Sequence, residues 1–263
     1  MYKLAMPDVI AINKGYYNKL YSSNFVSFLI HGIISFDQQS KTKQNVKIAN
    51  PVIKKIIRNK GLAHVFDYGY GFGTFLLRCP RENCELFGYD LADNARKNLT
   101  RIMLLLKRKF VFVDVDTCSF DETEKFDMII CSHVLEHIPE DIDFLKKIIR
   151  TLSSNGFMLI NVPINETNKD DKHVRFYDRE ACANILREIG LNMISVSEVD
   201  KWSNFLLKIE KKISMNIMTL LIYRLLRVLL ALTPIPFLLI GERLFLKNEQ
   251  PNQLIVLWAK NVE

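Results

Sequence analysis

Residues 65–77 read Val65-Phe66-Asp67-Tyr68-Gly69-Tyr70-Gly71-Phe72-Gly73-Thr74-Phe75-Leu76-Leu77. An apolar run ends in an acid, three glycines follow at alternate positions, and apolar residues resume. This order predicts a strand, a tight turn and a helix start, the arrangement by which α/β sheets hold nucleotide-like ligands. Glycine suits such a turn because it adopts backbone angles that other residues avoid and lets a ligand approach the chain. The helix is expected over Thr74–Arg78, with its N–H groups turned toward a carboxylate or phosphate. The spacing is G-x-G-x-G, and Thr74 stands where a dinucleotide fingerprint carries its third glycine. That disfavours a nicotinamide oxidoreductase.

Outward from this loop, apolar strands alternate with helical patterns. Strands are expected at Leu62–Phe66, Glu85–Tyr89, Phe110–Val113, Phe126–Cys131, Phe157–Val162, Met193–Val199 and Gln253–Ala259. Helices are expected at Asn94–Leu106, Glu140–Leu152 and Arg179–Ile189. Several strands are apolar throughout, as when helices cover both faces of a sheet. The expected class is α/β: a doubly wound, mainly parallel seven-stranded sheet with helices on both faces. Residues 1–60 predict a helical cap forming one wall of a substrate pocket, with Asn50-Pro51 opening a short basic helix that ends near Gly61. The main domain then spans 61–200 plus 253–263. Residues 201–252 are too many for an ordinary loop and form a helical insertion before the last strand.

The 263 residues are 49% hydrophobic and 25% charged, enough for one large globular domain with an appendage. The formal charge is +7. Within 201–252 eight Lys or Arg face three acids, so most of the excess lies on the insertion. A nucleic-acid partner is not expected, because this charge sits on an apolar segment rather than an aromatic-basic groove, and no Asn-Pro-Pro-Tyr signature follows the fourth strand. The five cysteines (Cys79, Cys84, Cys118, Cys131, Cys182) lack metal spacing. With no signal peptide at the N-terminus, they read as reduced thiols of a cytoplasmic protein.

Asp90 follows Gly73 by seventeen residues, at the tip of the second strand, where an acid can accept hydrogen bonds from both ribose hydroxyls. At the tip of the third strand, Asp116, or alternatively Asp114, can bond an adenine amino group. The block Phe126-Asp127-Met128-Ile129-Ile130-Cys131-Ser132-His133-Val134-Leu135-Glu136-His137-Ile138-Pro139 follows. Further on come Leu152-Ser153-Ser154-Asn155-Gly156-Phe157-Met158-Leu159-Ile160-Asn161-Val162-Pro163, His173-Val174-Arg175-Phe176-Tyr177 and Gly190-Leu191.

Together with the glycine loop, these segments resemble class I S-adenosylmethionine (SAM)-dependent methyltransferases of the small-molecule and glycan type. The resemblance covers 62–199 and 253–260, in the family's motif order. It implies a Rossmann-like fold, SAM as cofactor, and a donor site built from Asp67, Gly69, Tyr70, Gly71, Gly73, Asp90, Leu91, Asp116, Ser132 and His133. It also implies methyl transfer by in-line displacement. A hydroxyl acceptor benefits from a base, and His137 and His173 are the candidates, with Tyr177 a weaker one. The resemblance further suggests a sugar hydroxyl or a lipid-linked, cell-surface glycan precursor as acceptor. A quinone-like or other lipid acceptor is the alternative, as is a SAM-binding protein without turnover.

His133-Val134-Leu135-Glu136-His137 is also H-x-x-E-H, an inverted zinc-protease pattern. That chemistry needs one long helix, whereas here a strand precedes the motif and Pro139 cuts it short. Asp170 and Asp171 read as a solvated loop pair, so no metal is expected. Within the insertion, Ile213 to Leu232 reads as a helix whose Asn216, Thr219, Tyr223, Arg224 and Arg227 share one stripe. Arginines and prolines interrupt the apolar run, which argues against a membrane span. The segment 213–247 fits a helix lying on a membrane surface, or else a lid or dimer face. The first of these would seat the protein peripherally on the inner membrane face. Oligomeric state is left open.

Overall fold

The computed structural model describes residues 6–21, 24–113, 125–165, 173–212 and 217–260. Seven strands form one sheet: β1 (Ala63–Tyr68), β2 (Cys84–Tyr89), β3 (Phe110–Phe112), β4 (Phe126–Ser132), β5 (Leu152–Pro163), β6 (Leu191–Val199) and β7 (Gln253–Lys260). Their order is β3-β2-β1-β4-β5-β7-β6, and β7 alone runs antiparallel to its neighbours. All seven expected strands are present. β5 carries a bulge near its start: Phe126 pairs with Leu152, and two residues later Met128 pairs with Phe157.

Nine helices surround the sheet among the described residues. They are α1 (Met6–Leu20), α2 (Phe25–Ile34), α3 (Phe36–Lys60), α4 (Asp93–Leu105), α5 (Asp141–Arg150), α6 (Arg179–Ile189), α7 (Lys201–Lys212), α8 (Ile217–Leu232) and α9 (Ile235–Phe245). Alternate strand residues feed two cores. Val65, Leu86, Met128 and Leu159 pack with α3 and α4 on one face, while Phe66, Phe87, Ile129 and Met158 pack with α5 and α6 on the other. That two-sided burial is why the strands are apolar throughout.

Two local expectations are corrected. The helix expected to open at Asn50-Pro51 is the second half of a 25-residue helix, α3, which runs through Pro51. Burial overrides the proline: Ala49 and Ile53 are fully buried against the sheet, while Gln39, Thr42 and Asn45 are buried nearer the helix start. The helix expected at Thr74–Arg78 is a single 3₁₀ turn, Leu76–Arg78. Pro80 requires an extended residue before it, and Cys79 is extended (φ −62°, ψ 156°), so the helix cannot continue. A turn this short offers the ligand no helix dipole.

Asp127 accounts for the Phe-Asp that opens β4. It accepts from the His64 backbone N–H at 3.0 Å, from Ser153 Oγ at 3.1 Å, and from the Lys60 ammonium. One buried carboxylate thereby ties the end of α3 to the starts of β1 and β5.

Candidate functional site

The carboxyl ends of β1, β2 and β4 open into a cavity of about 1880 Å³. A pocket for a single drug-sized ligand holds roughly 300–1,000 Å³, so this one has room for a donor and an acceptor side by side. Sheet, cap and insertion all contribute to its lining.

The donor side is built from the glycine loop. Gly69, Gly71 and Gly73 all have positive φ (77°, 55° and 67°). At Gly73 a Cβ would lie 2.3 Å from Leu99 Cδ1 on α4, and at Gly71 it would lie 2.9 Å from the Tyr21 hydroxyl. The room left by these glycines is thus taken by the protein's own side chains. This corrects the expectation of close ligand approach at those atoms: at Gly71 the missing Cβ lets the cap residue Tyr21 sit on the loop.

Asp67 is the penultimate residue of β1, and Asp90 follows β2. Both are buried, and Asp90 uses its carboxylate to shape the loop, accepting from Gly71 N at 2.7 Å and Ala92 N at 2.9 Å. Carboxylate oxygens have further lone pairs, so ribose hydroxyls can still be accepted. Burial, reinforced by the neighbouring Asp90, pushes Asp67 up to about 8. Burial also raises Asp90, to about 6, although its two backbone hydrogen bonds oppose the shift. The Tyr70 hydroxyl is buried beside them without a hydrogen-bond partner among the described residues. Leu91, Ser132 and His133 line the same cavity. Asp114 and Asp116 lie outside the described residues, as do Asp170 and Asp171.

The acceptor side brings both candidate bases together. The His137 and His173 rings are 4.9 Å apart, edge to face. His137 lies on a 3₁₀ turn, Leu135–His137, after β4, and its Nε2 is 2.9 Å from the hydroxyl of Tyr17 on α1. The turn confirms that no long helix carries the H-x-x-E-H pattern. His133 adopts a left-handed backbone (φ 55°) and donates its N–H to Asn161 O at 2.7 Å. Strain of this kind at a strand end collects at functional sites. Glu136 is 1% exposed, and neither of its carboxylate oxygens accepts a hydrogen bond among the described residues.

Tyr177 is not placed for proton transfer. Its hydroxyl donates to Asp141 Oδ2 at 2.7 Å, and burial, with Asp141 adding to it, raises the phenol far above its ordinary range. Arg175 pairs with the same Asp141 and also donates to Pro139 O. Val174 N donates to Glu136 O at 2.8 Å. In the His173–Tyr177 block, therefore, Arg175 and Tyr177 anchor the segment while His173 faces the cavity.

A buried amide network escaped the sequence reading. Asn45 Nδ2 donates to Ser132 Oγ at 3.0 Å, and Asn161 Nδ2 donates to both Asn45 Oδ1 and Gln253 Oε1 at 3.0 and 2.9 Å. Gln253 Nε2 continues to Asp200, which holds Ser203 at the start of α7. Cap, sheet and insertion are joined through this chain of bonds. A buried polar residue within an apolar strand, such as Asn161, was the available signal.

The insertion packs on the cap. Phe36, Leu206, Tyr223, Leu230, Ala231 and Leu238 form a third core. Arg227 pairs with Asp37, and Lys43 Nζ donates to Ala231 O at 2.6 Å near the end of α8. Tyr223 and Arg227, from the polar stripe, turn inward, while Ile217, Leu221, Ile222, Leu225 and Leu229 stand in solvent. On α9 Phe237 and Phe245 are likewise exposed. No described helix is long and apolar enough to cross a membrane.

A sequence profile described as "Methyltransferase domain" matches residues 43–196, more than half of the chain. No curated protein matches the sequence. Among solved structures, the [4+2]-cyclase SpnF superposes with a TM-score of 0.53 at 14% identity, over 82% of each chain. A Haemonchus contortus phosphoethanolamine N-methyltransferase 2, solved with phosphomonomethylethanolamine and S-adenosylhomocysteine, gives 0.51 at 15% identity, over 81% of this chain and 53% of that one. Coclaurine N-methyltransferase, bound to N-methylheliamine and S-adenosylhomocysteine, gives 0.50 at 14% identity, over 79% and 69%. At these identities the superpositions establish the fold alone.

Proposed function

Because the chain belongs to the methyltransferase-domain family, and is thereby a SAM-dependent transferase, we propose that it methylates a hydroxyl of a sugar or lipid-linked glycan precursor delivered from a membrane surface. The observation that carries this reading is the meeting of a donor loop, a histidine-lined chamber and an insertion that lines the same chamber through Leu206, Leu207 and Arg227 while its apolar residues on α8 and α9 are exposed.

The donor side suits a cationic nucleoside. Asp67 and Asp90 are buried carboxylates held high by burial, and a positive ligand supplies their missing counter-charge. The partnerless Tyr70 hydroxyl gives a further polar contact. SAM provides an electrophilic methyl on its sulfonium, so the chain's task is alignment and proton removal. Holding acceptor oxygen and methyl in line, roughly 3 Å apart, supplies much of the acceleration. His137 or His173 accepts the proton that the hydroxyl loses, and Tyr17 orients the His137 ring.

The acceptor class rests on the insertion. Exposed apolar residues stand on α8 and on α9, and the exposed Arg224, Arg243 and Lys247 lie on or just after the same helices. Apolar area beside basic residues fits an anionic lipid surface. The test is to incubate the protein with methyl-labelled SAM and either polyprenyl-phosphate-linked sugars, quinols or free sugars. Label in the lipid-linked sugar fraction supports the reading. Label in the quinol fraction alone favours the alternative lipid acceptor.

A further inference from the structure

We propose that Glu136, His137 and His173 hold a divalent first-row transition-metal ion that binds the acceptor oxygen. One ligand atom from each residue lies within 4.8 Å of the other two. Bonds of about 2.1 Å at tetrahedral angles place ligand atoms about 3.4 Å apart, so modest side-chain rotations close the site. All three residues line the large cavity, which leaves a side of the ion open to a substrate.

Glu136 is the second observation that points to a ligand. Its carboxylate is 1% exposed, both oxygens lack a hydrogen bond, and it faces the histidine pair. A buried carboxylate that accepts no hydrogen bond is costly, and a cation at this point would offset that cost. His133 Nδ1, 3.3 Å from Glu136 Oε1, and Lys41 also face this carboxylate. A protonated histidine is therefore the competing source of counter-charge, and the experiment below separates the two.

Two imidazoles and one carboxylate select zinc, manganese, iron or cobalt over magnesium, which prefers oxygen ligands. The same donor set with an open position serves as a Lewis acid in hydrolytic zinc sites. Here the bound hydroxyl would lose its proton to water in the open cavity more readily, and His137 and His173 would act by holding the ion rather than by taking that proton themselves. That role deepens the methyl-transfer reading and rests on it, whereas the binding of the ion does not. The site departs from the expectation of no metal, because His173 joins Glu136 and His137 only in the fold.

The test uses chelator-treated full-length protein titrated with cobalt(II) chloride alone and followed by visible absorption. Ligand-field bands saturating at one ion per chain are expected. Glu136→Gln and His173→Ala should each bind cobalt at least about 10-fold more weakly, the lower bound for disturbing a metal site. Stabilisation by S-adenosylhomocysteine, measured in parallel, should persist in both variants and shows that they are folded. His173→Ala, in a loop, serves if Glu136→Gln does not fold. Absence of bands in the wild-type protein, or equal affinity in a folded variant, overturns the proposal. Loss of stabilisation by S-adenosylhomocysteine in the wild type would instead count against the donor site.

Discussion

Tyr17 and His137 stand 120 positions apart in the chain, yet the Tyr17 hydroxyl lies 2.9 Å from His137 Nε2. The cap thereby reaches across the cavity to the loop after β4, and their rings meet edge to face at 5.9 Å between centroids. A side chain of the cap fixes the ring of a candidate base.

The first prediction follows from that contact. Tyr17→Phe keeps the ring packing and removes the hydroxyl, so kcat should fall roughly 10-fold. His137→Ala removes the acting group and should cost about 100-fold, the low end for general acid–base catalysis. Donor affinity should stay within about 2-fold in both, since neither residue is part of the glycine loop itself. Steady-state kinetics with a titration of S-adenosylhomocysteine checks this. An unchanged kcat in His137→Ala and in His173→Ala would remove both histidines from the chemistry.

Legibility followed burial. The strands were readable because Phe66, Ile129, Met158 and their neighbours are packed on both faces, leaving continuous apolar runs. Asp67, Gly71, Gly73 and Asp90 were readable because they lie close together along one β-loop-β unit. Tyr17, Asn45 and Gln253 were not, since nothing local marks a cap tyrosine or an amide as facing the cavity. Pro51 misled because a local helix breaker was weighed without the tertiary contacts that hold α3 together. Pro80 was the opposite case: its restriction on Cys79 was present in the sequence and would have shortened the helix after the loop.

Asp67 makes stability depend on pH in a definite direction. Its carboxyl moves from 3.8 to about 8 on folding, because burial and Asp90 disfavour the charge. The folded state therefore holds a proton that the unfolded chain releases, and this contribution, fully present below about 4, is lost as pH rises toward about 8. Asp67→Asn cannot ionise. The Tm of the variant relative to wild type should rise across that window and level off above it, in the absence of ligand. A difference independent of pH, by calorimetry, would show that Asp67 titrates normally.

Gly73→Ala should disrupt the loop on two counts. Its φ of 67° strains any residue with a Cβ, and the new atom would sit 2.3 Å from Leu99 Cδ1. A cost of about 1–3 kcal/mol is expected from backbone strain alone. Adding Leu99→Ala to make room should recover only the steric share, leaving the strain. Thermal melts of the single and double variants separate the two contributions, and a Gly73→Ala protein as stable as wild type would show that neither operates.

The exposed face of the insertion gives the last prediction. Ile217 is 77% exposed and Phe245 is 76% exposed, so changing them to Asp disturbs little packing. The doubly substituted protein should keep its Tm within a few degrees, because surface changes remain within about 0.5 kcal/mol. Wild-type protein should float with vesicles containing anionic phospholipid and float less as salt is raised, since the flanking basic residues act through screened charge. The variant should remain at the bottom of the gradient at every salt concentration. Wild-type protein that does not float, but sediments as a dimer that the same variant dissociates, would assign this face to a second copy of the chain. In that case the acceptor would reach the histidines without a lipid surface, and free sugars rather than lipid-linked ones would become the substrates to test.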